Sequence, residues 1–191
     1  MDVATVAVYE RSASEWRRRR GEATDGLGRE FRERVGNGPV ADLGCGAGRY
    51  LAEIGRPVVG VDATFAMLSL ARSRVHPLAQ GDLESLPLAD GVLAGIFARH
   101  SYLHLPKARL GHALAEAGRV LRPGGLFLAT LIAGNYEGYE LPGDDFPGRY
   151  FACWTAAELT ATLAGAGFVD VSVVPIDRPQ GRADLLATSR R

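Results

Sequence analysis

The chain has 191 residues, 47% hydrophobic and 23% charged, which suits one globular domain with a substantial core and excludes a chain too polar to fold. Lysine plus arginine and aspartate plus glutamate both number 22, so no overall positive field draws the protein to nucleic acid. No apolar run reaches membrane-spanning length, residues 1–10 lack the basic start and apolar centre of a secretory leader, and Cys45 and Cys153 suggest neither a disulfide framework nor a metal site. A cytoplasmic monomer or homodimer with no membrane partner is expected.

Residues 1–38 are rich in charge, with Glu10, Arg11 and the run from Glu15 to Arg20 placed around Tyr9 and Trp16. They predict one or two solvated helices, a helical lid over 1–37 resting on an α/β unit over 38–191. From Pro39 onward apolar, β-prone runs recur at PVADLG (39–44), PVVGVD (57–62), HPLAQGD (76–82), GVLAGIFA (91–98) and GLFLATLI (125–132). Helical spacing appears between them in TFAMLSLARSR (64–74) and PKARLGHALAEAGRVL (106–121), where Pro106 favours a helix start. This rhythm predicts an open, mostly parallel sheet with helices on both faces and right-handed crossovers. The segment AGNYEGYELPGDDFPGRYFACW (133–154) then mixes Gly, Pro, acids and aromatics, as a binding loop or pocket wall does. Thr155 and Glu158 form a capping-box signature for the next helix. FVDVSVVPID (168–177) and ADLLATSRR (183–191), joined by RPQGR, predict a closing antiparallel hairpin.

The stretch VADLGCGAGRY (40–50) puts glycines at 44, 46 and 48, directly after a strand that ends in Asp42 and Leu43. Open α/β sheets bind ligands at the carboxyl ends of their strands, so the site belongs here. The dinucleotide fingerprint G-x-G-x-x-G needs a wider last interval, and the lysine and hydroxyl of a P-loop are missing. A carboxylate just ahead of the glycines would repel phosphate and suits a cationic ligand. Asp62 ends the second strand about twenty residues on, the spacing at which an acid meets ribose hydroxyls. Asp82, after the third strand, can accept from an adenine amino group. The expected ligand is an adenosine derivative that carries positive charge and no phosphate.

The series VADLGCGAGRY, VVGVDAT, AQGDLESLPLADG, GIFARHSYLHL and RVLRPGGLFLAT, in that order and spacing, resembles the class I S-adenosylmethionine-dependent methyltransferases, especially their small-molecule branch that includes ubiquinone/menaquinone-type methyltransferases. The resemblance covers about residues 38–190 and implies a Rossmann-like, seven-stranded α/β sheet with a reversed last strand, and S-adenosyl-L-methionine as cofactor. By motif match it implies Asp42, Gly44, Cys45, Gly46 and Gly48 at the methionine end, Asp62 with the adjacent Ala63 at the ribose, Asp82 with Leu83 at the adenine, and Ala98 beneath the methionine portion. Leu93-Ala94 stands where many relatives have Phe-Asp. The Asn-Pro-Pro-Tyr and Pro-Cys motifs of base-modifying enzymes are missing.

A small-molecule methyl acceptor is therefore expected. His100 and His104 leave the fourth strand beside the expected methyl group and are the candidates for taking a proton from the acceptor. Cys45 reads as a small filler in a tight turn, and two histidines without an accompanying acid do not read as a metal site. An RNA acceptor, or a protein that binds S-adenosylmethionine without turnover, stands as the alternative; the glycine spacing opposes a nicotinamide-dependent reductase.

Overall fold

In the computed structural model, which describes residues 1–23, 25–72, 76–177 and 183–191, the chain alternates strand and helix from residue 40 onward. The strands are β1 (Val40–Leu43), β2 (Val58–Asp62), β3 (Leu78–Gln80), β4 (Leu93–Arg99), β5 (Leu121–Ile132), β6 (Glu137–Gly138), β7 (Phe151–Ala152), β8 (Val169–Ile176) and β9 (Asp184–Arg190). The helices are α1 (Val3–Arg20), α2 (Leu27–Val35), α3 (Leu51–Ile54), α4 (Phe65–Ala71), α5 (Lys107–Val120) and α6 (Ala156–Gly165), and a 3-10 turn at Tyr102–His104 follows β4.

Seven strands form one sheet in the order β3-β2-β1-β4-β5-β9-β8. The ladders through β5 are parallel, and β9 runs antiparallel between β5 and β8. All four residues of β1 are buried, as expected for a central parallel strand covered on both faces. The order reverses between β1 and β4, which opens a crevice at their carboxyl ends. On one face α5 and α6 bring Leu110, Leu114 and Leu159 to the sheet; on the other, α2 and α3 contribute Phe31, Leu51 and Ile54. Phe31 is fully buried and its ring meets Phe97 edge-on at 5.4 Å.

Two expectations are refined by the structure, on the lid and on segment 133–154. The lid expected over 1–37 resolves into two helices with different duties: α2 is built into the core through Phe31, while α1 lies across the strand tips and contacts α4. The helix after the glycine loop, α3, is a single turn. Segment 133–154 is not a plain loop, because β6 and β7 pair antiparallel inside it and Leu141, Phe151 and Cys153 pack with Leu103 and Ile132. The capping box of α6 forms as the sequence predicts, with Thr155 accepting from the Glu158 amide and the Glu158 carboxylate accepting from the Thr155 amide. The RPQGR connection and residues 73 and 74 of the predicted 64–74 helix lie outside the described residues.

Candidate active site

The tight turn after β1 is held by its own backbone. The Gly44 amide donates to the Val61 carbonyl at 2.7 Å and the Gly48 amide to the Cys45 carbonyl at 2.9 Å. Gly44, Gly46 and Gly48 have φ of 73°, 54° and 77°, a left-handed region that costs a residue with a Cβ. A Cβ on Gly44 would come within 2.3 Å of the Ser101 Cβ, because the chain leaving β4 lies directly against the turn. On its open side the Gly46 backbone is covered by the Trp16 indole from α1.

Two acids stand at the tips of β1 and β2. Asp42 is 2% exposed, and its Oδ2 has no hydrogen-bond partner among the described residues. Burial, with the charge of Asp62 added, pushes its carboxyl up to about 8. Asp62 is raised by burial too, but it accepts from the Gly46 amide through Oδ2 and from the Thr64 amide through Oδ1, each at 2.8 Å. The Thr64 side chain bonds it as well, so of the carboxylate's four lone-pair sites one is left for a ligand hydroxyl. Both acids border a cavity of about 770 Å³ that runs between the strand tips, α1 and the 133–154 segment.

Of the sequence-predicted positions, Asp42, Gly44, Cys45, Gly46, Asp62, His100 and His104 line this cavity together. Gly48 serves the turn itself. Ala63 lies off the wall, where its carbonyl accepts from Gln80 Nε2 at 2.9 Å. The side chains of Leu83 and Ala98 belong to the core, 2% and 0% exposed. Asp82 accepts from the Met1 ammonium at 2.5 Å and from the Glu84 amide at 3.0 Å, so it already holds a nitrogen donor. Cys45 is buried beside the two acids, and burial raises its thiol well above the ordinary value, which removes it as a nucleophile.

The two histidines differ in kind. His100 sits at the end of β4 with φ 55°, a strained backbone for a side-chain-bearing residue, and its Nε2 lies 2.7 Å from Asp184 Oδ2. Asp184, at the start of β9, is 1% exposed. His104 is buried; its Nδ1 faces the Tyr150 carbonyl at 2.7 Å and its Nε2 the Tyr9 hydroxyl at 2.9 Å. Burial pushes its imidazole down to about 3. Standing alone, it is a poor base at neutral pH.

Several wall residues escaped the sequence reading. Arg49 and Arg99 both lie over the Tyr50 ring, and Arg99 pairs with Asp25 at 3.1 Å. Arg49 Nε and Ser101 Oγ are buried without a hydrogen-bond partner among the described residues. Asp184 carried one faint signal, an acid just ahead of the apolar Leu185-Leu186-Ala187.

Taken together, a buried acid, a left-handed glycine turn and a second acid at the tips of adjacent parallel strands define a nucleoside-binding α/β protein. Residues 41–129 match the family described as a methyltransferase domain. Malonyl-[acyl-carrier protein] O-methyltransferase of Serratia marcescens is 38% identical over 104 residues, 51% of this chain and 40% of that one. The Geobacter sulfurreducens protein of the same name is 30% identical over 182 residues, 84% of this chain and 66% of its own. The chain thus spans about two fifths and about two thirds of these relatives' lengths. Among solved structures, the Burkholderia thailandensis 1,6-didemethyltoxoflavin-N1-methyltransferase with bound S-adenosylhomocysteine superposes with a TM-score of 0.77 at 22% identity, covering 98% of this chain and 87% of that one. The chain belongs to the class I S-adenosylmethionine-dependent methyltransferase family.

Proposed function

We propose that the protein transfers a methyl group from S-adenosylmethionine to a nitrogen, oxygen or carbon of a small-molecule acceptor by in-line displacement. The observation that carries this reading is Asp42, a buried carboxylate with an oxygen that has no partner among the described residues, beside a left-handed glycine turn. An uncompensated buried charge is costly, and a cationic ligand removes that cost. On the same cavity wall Arg49 Nε is a buried donor without a partner among the described residues. A zwitterionic methionine end, ammonium toward Asp42 and carboxylate toward Arg49, satisfies both.

The cofactor supplies a methyl already activated by its sulfonium. The chain's residues bind and align. Asp62 takes the ribose diol, and the adenine edge replaces the Met1 ammonium on Asp82, beside the Leu83 backbone. Gly44 and Gly46 let the backbone come close, and Trp16 covers the Gly46 side. Alignment of the acceptor atom about 3 Å from the methyl, in line with the departing sulfur, can lower the barrier by several kcal/mol. We assign α1 the role of lid, because Tyr9 and Trp16 reach the cavity from it.

The relatives named above are named for a malonyl group on an acyl-carrier protein and for N1 of 1,6-didemethyltoxoflavin; the second supports a small molecule, and the acceptor's chemistry is left to this chain's own pocket. The test follows S-adenosylhomocysteine release with panels of small hydroxyl, amine and carboxylate compounds and with RNA. Turnover of a small molecule is expected. Salt-sensitive turnover of RNA would contradict the acceptor class, and cofactor binding without turnover of any panel would favour a non-catalytic binder.

A further inference from the structure

The wall between α1 and the 133–154 segment carries a hydrogen-bond chain whose direction can be read. A carbonyl only accepts, so the Tyr150 carbonyl fixes the proton of His104 on Nδ1. His104 Nε2 is therefore an acceptor, and the Tyr9 hydroxyl must donate to it at 2.9 Å. Arg149 Nη1 in turn donates to Tyr9 Oη at 2.7 Å. With its proton committed to His104, Tyr9 presents a lone pair to any ligand in the cavity it lines. The group that meets it has to be a donor.

Charge narrows the class of that donor. Arg149 pairs with Asp144 and Arg20 with Asp145, so the charges contributed here by α1 and the segment cancel locally. Leu103, Ile132, Leu141 and Phe151 add apolar surface to the same cavity, beside the polar Thr5, His100 and Ser101. Among the described residues the charged side chains that α1 and the segment bring to this wall are paired, so an anionic or cationic acceptor would bury its charge without a free counter-charge there, which is expensive.

We infer that the acceptor is a neutral, largely apolar hydroxyl compound of the phenol or enol kind, and that Tyr9 is the catalytic residue that takes its proton while handing its own to His104. The inference rests on the methyltransferase reading and specifies its acceptor. The C–O bond forms as the S–C bond breaks, and the electron pair of that bond stays on sulfur. The hydroxyl proton passes to Tyr9 Oη, the Tyr9 proton passes to His104 Nε2, and the positive charge of the sulfonium ends on the imidazole. Burial raises the Tyr9 phenol, so it keeps its proton until the relay operates. The same burial makes His104 a weak base, able to take a proton only from a strong acid. A methylated hydroxyl oxygen is such an acid, whereas a methylated ammonium is not. An amine acceptor would leave this chain idle.

The experiment titrates the protein loaded with S-adenosylhomocysteine with phenol, benzoate and benzylamine, probes of one ring size that differ in charge. It then measures methyl transfer from S-adenosylmethionine to phenols in wild type, Tyr9→Phe and His104→Asn. Phenol is expected to bind, benzoate and benzylamine to bind at least about tenfold more weakly, and Tyr9→Phe to weaken phenol by about tenfold. Both variants should lower kcat for phenols by about 10²-fold with a smaller change in KM, and the wild-type solvent deuterium isotope effect should report two protons in flight. Preference for benzoate or benzylamine, failure of phenol to bind or be methylated by protein that binds the cofactor product, or an unchanged kcat in Tyr9→Phe would overturn the inference. Failure of wild type to bind S-adenosylhomocysteine would instead overturn the methyltransferase reading.

Discussion

Asp42 is the residue on which cofactor affinity and stability pull in opposite directions. Its carboxyl stands far above the ordinary range in the folded protein, at about 8, chiefly through burial and then through Asp62. The folded state therefore binds more protons than the unfolded one at neutral pH, and stability without ligand falls as pH rises from about 4 toward 8. Asp42→Asn should abolish that fall and raise the melting temperature near pH 8 by a few degrees, while weakening S-adenosylhomocysteine by about tenfold or more. Thermal melts across this pH range, with and without ligand, check both signs. A variant that loses stability near pH 8 and keeps its affinity would contradict the role given to Asp42. At this scale the sequence was legible where function is local. The glycine turn, Asp42 and Asp62 fall within one stretch of about twenty residues in the βαβ unit, and their spacing alone carried the ligand class. Tyr9 and His104, 95 positions apart, meet only in the fold, and no local pattern announces that contact.

Among the elements, α1 owes its place to a few directed contacts. The Glu10 carboxylate accepts from the Phe65 amide at 2.7 Å and the Ala66 amide at 3.0 Å, capping α4 from another helix where Thr64 makes no side-chain cap. Tyr150 donates its amide to Thr5 Oγ1 at 2.8 Å and ties the 133–154 segment to the same helix. Glu10→Ala should cost about 1 kcal/mol and speed hydrogen exchange in α1 and the first turn of α4, leaving the central strands protected. Exchange rates unchanged in α1 would show that its docking rests elsewhere. The strands were legible because parallel strands buried on both faces read as unbroken apolar runs. The β6–β7 ladder was not, since strands of two residues have no periodicity to detect. The early start of β5 was hidden too: Arg122-Pro123-Gly124-Gly125 has the composition of a turn, yet it continues the strand from Leu121.

For the molecule as a whole, the division of labour is between a sheet with two helical layers and a cover over the strand tips. Phe31 belongs to the first, since its ring fills the space between α2 and Phe97 in β4. Phe31→Ala should destabilise the entire chain by about 3–5 kcal/mol in a single cooperative transition. Removal of residues 1–20 should leave a folded sheet, because the residues that α1 itself buries are Thr5, Val8 and Ala13, small beside the sheet's own core. The truncated protein should bind S-adenosylhomocysteine at least about tenfold more weakly, having lost Tyr9 and Trp16. Collapse of the sheet on truncation would make α1 part of the core rather than a cover.

The measurement that tests the central claim most directly is calorimetric binding of S-adenosylmethionine and S-adenosylhomocysteine to wild type and to Asp62→Ala, with NADH as the control ligand. Micromolar binding of both sulfur compounds, release of up to about one proton as Asp42 ionises against the ligand at neutral pH, loss of binding in Asp62→Ala and none of NADH are the predicted results. Absence of binding by either sulfur compound, or binding indifferent to Asp62, would contradict the account and leave the fold alone standing.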